Sequence, residues 1–205
     1  MIGIVKTSSQ NLKSIINVLN FLNVKSELIN NVKKFHKFEK IILPGVGSFD
    51  PVINSIKKLG LDTKQMNNIF FEKQIFGICI GLQVLCNRSE EGKESGFNLI
   101  NAEVKNLRSL NCTEAVPHVG FNKVELNKND EKLKNIFKNK FYFTHSYGVE
   151  KNNLKLDNLD NYGITEYGGC KFISFIKIKN SIATQFHPEK SGKAGIELLK
   201  FFCDQ

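Results

Sequence analysis

Short apolar runs at residues 2–5, 24–29 and 40–43 alternate with segments whose apolar residues recur at helical spacing. This alternation is the strongest constraint on what the chain can fold into. Between the first two runs, Leu12, Ile15, Ile16, Leu19 and Leu22 fall on one face of a helix over 11–22. Further helices are predicted over 50–59 and 62–71, the second opened by Asp62-Thr63. A central strand over 74–79 leads into a helix over 80–87. Strands joined through helices pair in parallel, and a parallel sheet must be covered on both faces. From about residue 98 the apolar segments shorten, at 102–107, 114–119, 122–126 and 141–146, as expected of antiparallel strands at one side of the sheet. The polar stretch 87–96 reads as a surface loop, and 127–140 as a loop with one short helix. Segments 172–178 and 181–186 form a hairpin around Lys179-Asn180, and 193–203 an amphipathic helix. No linker or repeat interrupts the chain. The expectation is one α/β domain over 1–205: an open, mixed, mostly parallel sheet with helices on both faces and an antiparallel edge.

Three stretches at strand ends carry chemistry. In Gly77-Ile78-Cys79-Ile80-Gly81 a cysteine stands between small residues where a strand turns into a helix. That is the form of a nucleophile elbow: the glycines permit a sharp turn and close approach, and the helix start favours a thiolate. A lone cysteine is equally a small core residue, and a glycine-flanked turn can also seat a phosphate, so its companions decide. Pro44-Gly45-Val46-Gly47 follows the third strand and can turn its backbone N–H groups toward an oxyanion, or serve only as a turn. In His187-Pro188-Glu189 a carboxylate two residues on can curl back to the imidazole. Ligands of parallel sheets sit at the carboxyl ends of strands. If the three stretches converge there, His187 takes the thiol proton of Cys79 and Glu189 fixes the imidazole. The N–H of Ile80, with that of Val46 or Gly47, then faces the tetrahedral oxyanion.

The totals remove other classes. A net charge of +9 invites a nucleic-acid reading, but the only arginines are Arg88 and Arg108, and no stripe alternates basic with aromatic residues. No apolar run reaches the ~20 residues of a membrane span, and the N-terminus carries no signal-peptide pattern, so a cytoplasmic location is expected. Five cysteines at irregular spacing, with no Cys-x-x-Cys, argue against a disulfide framework or a zinc site. Apart from Cys79 they are assigned to packing. His36 and His118 are given no catalytic role, and His145 is a candidate wall of the site.

Gly77-x-Cys79-x-Gly81-x-Gln83, Pro44-Gly45-Val46-Gly47 and His187-Pro188-Glu189-Lys190-Ser191 together resemble the triad glutamine amidotransferases. Pro117-His118-x-Gly120-x-Asn122, Tyr142-Phe143-x-His145-Ser146-Tyr147 and Thr165-Glu166-Tyr167 narrow the resemblance to the glutaminase subunits of imidazole glycerol phosphate synthase. The resemblance implies a glutamyl thioester on Cys79, release of ammonia, and hydrolysis to glutamate, with no cofactor or metal. It implies that Gly45, Gln83, Ser146, Tyr147 and the backbone at Gly47 hold the glutamine. It further implies a heterodimer with a (β/α)₈-barrel cyclase, into which ammonia passes along a dry route, with Tyr142, Lys190 and Phe121 at the interface. Two places depart from the family. Residues 6–11 retain only Asn11 of the usual loop after the first strand, and Phe121 stands where a tryptophan is usual. Both lie on the partner-facing side in the family. A paralogue supplying ammonia for amidation of a surface-glycan sugar is therefore a second reading. A catalytically silent scaffold subunit and a partner-free hydrolase of γ-glutamyl peptides are readings of other classes.

Overall fold

A computed structural model describes residues 1–7, 12–151 and 159–205. The departure at Ser8–Asn11 lies outside the described residues. In chain order the elements are β1 (Ile2–Val5), α1 (Leu12–Phe21), β2 (Ser26–Ile29), β3 (Lys40–Leu43), α2 (Phe49–Lys58), α3 (Thr63–Glu72), β4 (Gln74–Ile78), α4 (Ile80–Leu85), β5 (Arg88–Ser89), β6 (Glu103–Asn106), β7 (His118–Asn122), β8 (Glu125–Leu126), α5 (Glu131–Phe137), β9 (Phe141–His145), β10 (Tyr147–Glu150), β11 (Asn161–Tyr167), β12 (Cys170–Ile178), β13 (Ser181–Thr184) and α6 (Gly192–Asp204). No described helix is long and apolar enough to cross a membrane.

The main sheet runs β2-β1-β3-β4-β13-β12-β10-β6-β5. Its first five strands are mutually parallel. β12 reverses direction and opens the antiparallel half, which β11 and β8 extend to the side. The inner parallel strands β1, β3, β4 and β13 are buried on both sides, as two covering layers demand, while the edge strand β2 is half-buried. Ile41 and Leu43 of β3 enter one core with Val52, Ile53 and Ile56 of α2 and Met66 of α3. Ile42, between them, enters the other, with Ile15 and Leu19 of α1 and Leu198, Leu199 and Phe202 of α6.

The helical and parallel expectations hold to within a few residues; the antiparallel half departs further. The strand expected over 114–119 begins only at His118, and the one over 122–126 shrinks to β8. β7 pairs with β9 in a separate two-stranded sheet. β10 and β11 were not anticipated. The helix after Cys79 is six residues long, shorter than the expected 80–87. Backbone N–H groups of Phe97, Asn98, Leu99 and Ile100 take the carbonyls of Val84, Leu85 and Cys86 and end it there. The supposed surface loop 87–96 instead pairs β5 with β6 and is anchored to α2, where Asp50 accepts the N–H groups of Lys93 and Glu94.

Candidate active site

β4 lies between β3 and β13, pairing Leu43 with Gly77 on one side and Thr184 with Ile78 on the other. Three neighbouring parallel strands thus end side by side. Their exits are the glycine turn, the elbow and the histidine turn.

At the elbow Cys79 adopts φ 52°, ψ −108°, a conformation that costs a non-glycine residue on the order of 1–3 kcal/mol. Its N–H donates to Thr184 O at 2.6 Å and its carbonyl accepts from Leu82 N at 2.9 Å, which holds the strained residue in place. A Cβ at Gly81 would stand 2.1 Å from Leu43 O, and one at Gly45 2.1 Å from Ile80 Cγ2. The two glycines thus allow β3, its exit turn and α4 to touch backbone to backbone, bringing the glycine turn against the cysteine.

β13 stops at Thr184, three residues before His187, and a short 3₁₀ turn, Pro188–Lys190, follows. This turn is tied to β9: His187 N donates to Tyr142 O, and Ser191 Oγ accepts from Tyr142 N at 2.9 Å and donates to His187 O at 2.6 Å. Within it His187 Nδ1 meets Glu189 Oε1 at 2.7 Å, with both side chains buried. The carboxylate acceptor requires the proton on Nδ1. The other nitrogen, Nε2, is buried without a hydrogen bond. Burial opposes charge on this imidazole, but the negative charge of a Cys79 thiolate, then Glu189, outweighs burial and lifts it to about 10. The arrangement favours an imidazolium at His187 beside Cys79. His187 and Glu189 pair, and Cys79 and His187 line one cleft.

The cleft in front of Cys79 encloses about 270 Å³, room for a small metabolite. Val46, Gly47, Ile80, Gln83, Ser146 and Tyr147 line it together with Cys79 and His187. Gly45 lies beneath the wall, packed on Ile80 and α4. Phe121 and Tyr142 rings stand 5.5 Å apart, and Lys190 Nζ lies 5.9 Å from the Tyr142 ring. Phe121 and its neighbour Val119 are 57% and 56% exposed, an apolar patch on β7.

Two residues of the site escaped the sequence reading. Glu91 lines the cleft, and its Oε2 accepts the Phe49 N–H at 3.0 Å. Burial raises the Glu91 carboxyl above its usual range, against the pull of that N–H and of Ser48. It is an acid of the cleft wall, suited to an ammonium group. Its only signal in sequence was a mixed-charge stretch. Gln185 is fully buried, with Nε2 3.5 Å from Cys79 Sγ. The sequence places it only near the end of the hairpin segment 181–186, without a role.

His145 lines the cleft as expected and pairs with His118, Nε2 to Nδ1, at 3.1 Å. His145 Nδ1 donates to Tyr147 O at 2.8 Å, so its Nε2 is the acceptor and His118 the donor. Burial holds His118 at about 4 and His145 at about 3. Unfolded, both take protons near pH 6.5, so the unfolded state binds more protons as pH falls. Stability should therefore drop between pH 6.5 and 4, each ring contributing up to about 1.4 kcal/mol per pH unit. Urea unfolding at pH 6.5, 5.5 and 4.5 measures this. His118→Phe, seated between the Tyr167 and Phe143 rings that now flank the imidazole, should lose about one proton of that slope. An unchanged slope would show that His118 is not held neutral.

Comparison with known proteins agrees with this geometry. The family model "Glutamine amidotransferase class-I" matches residues 4–205. The chain is 39% identical to the imidazole glycerol phosphate synthase subunit HisH of Leptospira borgpetersenii, and 37% identical to that of Leptospira interrogans, each over 99% of both chains. Among solved structures, PurLQS from Thermotoga maritima superposes with a TM-score of 0.67 at 17% identity, over 99% of this chain and 97% of that one, which bears on the fold alone. The chain belongs to the class-I glutamine amidotransferases.

Proposed function

We propose that this chain is the cytoplasmic glutaminase subunit of an imidazole glycerol phosphate synthase, one domain that hydrolyses glutamine and passes ammonia to a (β/α)₈-barrel cyclase. The observation that carries the chemistry is the buried 2.7 Å His187–Glu189 pair, with the remaining imidazole nitrogen left to Cys79 on its elbow. Full-length similarity to HisH subunits supports the pathway.

In this reading the Cys79 thiolate attacks the carboxamide carbon of glutamine. The N–H of Ile80 and one from Val46 or Gly47 stabilise the oxyanion, each such donor lowering the barrier by about 3 kcal/mol. The His187 imidazolium gives its Nε2 proton to the leaving nitrogen, and ammonia departs. A water then attacks the thioester while His187 takes its proton, and collapse expels the Cys79 thiolate as glutamate leaves, so that the imidazolium and thiolate of the starting state return. Glu189 keeps the imidazole oriented throughout. At the other end of the substrate, Glu91 and the Gln83 carbonyl oxygen receive the α-ammonium, and the backbone of Gly47, Ser146 and Tyr147 the carboxylate. Phe121, Val119, Tyr142 and Lys190 form the face that meets the partner.

The test is co-purification with a barrel cyclase from the native source, followed by assays of both reactions. Glutamine turnover should rise about 100-fold in the complex, near the upper end of ordinary coupling between sites. The complex should also make imidazole glycerol phosphate from glutamine. A free chain as active as the complex would remove the coupling. A complex that instead delivers nitrogen to a sugar would move the assignment to the surface-glycan paralogue.

A further inference from the structure

A row of buried amides leads to the reactive sulfur. Gln83 Nε2 donates to Tyr147 O at 3.0 Å and to Gln185 Oε1 at 3.0 Å. Gln185 Nε2 lies 3.5 Å from Cys79 Sγ. The orientation of both amides follows from the one group in the row that cannot turn over. Tyr147 O is a backbone carbonyl and only accepts, so Gln83 must present its NH₂ to it. The same NH₂ faces Gln185, which must present its carbonyl oxygen in return. The NH₂ of Gln185 is thereby aimed at Cys79. His145 Nδ1, donating to the same Tyr147 carbonyl, fixes that end of the row from the opposite side. Gln185 is also fixed at its backbone, its N–H donating to Ser174 O at 2.9 Å.

We infer that Gln185 is a further member of the catalytic group: its amide N–H donates to the Cys79 sulfur, stabilising the thiolate and aiming it at the substrate. This rests on Cys79 being the nucleophile proposed above. No proton crosses from Gln185; the thiol proton goes to His187 Nε2. A hydrogen bond to a charged acceptor is stronger than one to a neutral group, so the N–H favours thiolate over thiol. As the thioester forms and sulfur loses its charge the bond weakens, and it returns when hydrolysis frees the thiolate. The donor therefore favours the state that begins each turnover. Because the row starts at Tyr147, in the segment that holds the substrate, a shift of that carbonyl would reach the sulfur through two side chains.

The experiment is the pH profile of Cys79 alkylation by iodoacetamide on the full chain, followed on the Cys79 peptide by mass spectrometry. In Gln185→Met, which keeps the length and removes the donor, the midpoint should rise by about one pH unit, a tenfold loss of alkylation rate at pH values below it. Gln185→Glu, which points a carboxylate oxygen at the sulfur, should raise it further. A folded Gln185→Met chain with the wild-type midpoint overturns the inference. Should neither variant fold, the wild-type chain decides. The side-chain amide resonance of Gln185 should titrate with the alkylation midpoint, and that titration should vanish in Cys79→Ala; a pH-independent resonance overturns the inference. Cys79→Ala that still hydrolyses glutamine would instead refute the nucleophile assignment, so the two failures are distinguishable.

Discussion

Cys79→Ala should fold as the wild type does and lose glutamine hydrolysis by roughly 10⁴- to 10⁶-fold, the scale on which enzymes lose activity when a nucleophile is deleted. Supplied ammonia should still drive the partner's reaction in the complex, because only its source has been removed. The stability of the variant adds a second, independent reading. Cys79 is held at φ 52°, ψ −108° by the bonds to Thr184 O and from Leu82 N. Alanine meets the same steric conflict at this φ as cysteine, so Cys79→Ala should melt near the wild type. Glycine does not meet it, and Cys79→Gly should gain about 1–3 kcal/mol, less the ~1 kcal/mol that glycine loses through its freer unfolded chain. A Cys79→Gly chain that melts above Cys79→Ala would show that the elbow stores strain to present its sulfur. Glutamine turnover surviving in either variant would refute the assignment, and a Cys79→Gly chain that melts below Cys79→Ala would refute the strain.

What could be read from sequence follows from how each feature is encoded. The parallel half was legible because its inner strands are apolar on both faces and its helices on one, so the pattern alone identifies them. The convergence of Cys79 and His187 on one cleft was legible because both stand just beyond the ends of parallel strands, and adjacent strand ends share one edge. The antiparallel half was harder. β11 begins with buried Asn161 and carries Gly163 two residues on, where a Cβ would lie 2.5 Å from Val124 Cγ1; neither residue reads as strand. β10 is four residues long and contains Gly148, which lies against Phe172. Glu91 reaches the cleft only because Asp50 and Phe49 draw its loop onto α2, a contact across more than forty positions that no local pattern encodes. Gln185 was invisible for a related reason: its role depends on which end of an amide faces the sulfur, and a backbone carbonyl far away in sequence decides that.

The largest effect on stability is expected at Gly81. Its position inside α4 is one where alanine ordinarily helps a helix by about 1 kcal/mol. Here the added Cβ would stand 2.1 Å from Leu43 O and 3.1 Å from Leu43 C, both backbone atoms of β3. A flexible side chain could swing aside, but a strand paired with β1 and β4 cannot. Overpacking in a close-packed core costs about 1–3 kcal/mol and at times more, and a clash between two rigid elements belongs at the upper end. The clash therefore outweighs the helical gain. Gly81→Ala should lower the melting temperature by about 4–12 °C, at the 2–4 °C per kcal/mol usual for a chain of this length. Relief of the clash must separate α4 from β3, and with them the two N–H groups expected to share the oxyanion. Glutamine turnover should then fall by about 10²-fold or more even where the variant remains folded, as when an oxyanion donor is lost. Gly47→Ala supplies the contrast. Its Cβ would meet only Val52 Cγ2, at 3.6 Å, so its penalty comes from φ +150° and not from a clash. It should cost activity while sparing the contact between β3 and α4. A Gly81→Ala chain with wild-type melting and turnover would mean that the close approach of strand and helix is not what assembles this site.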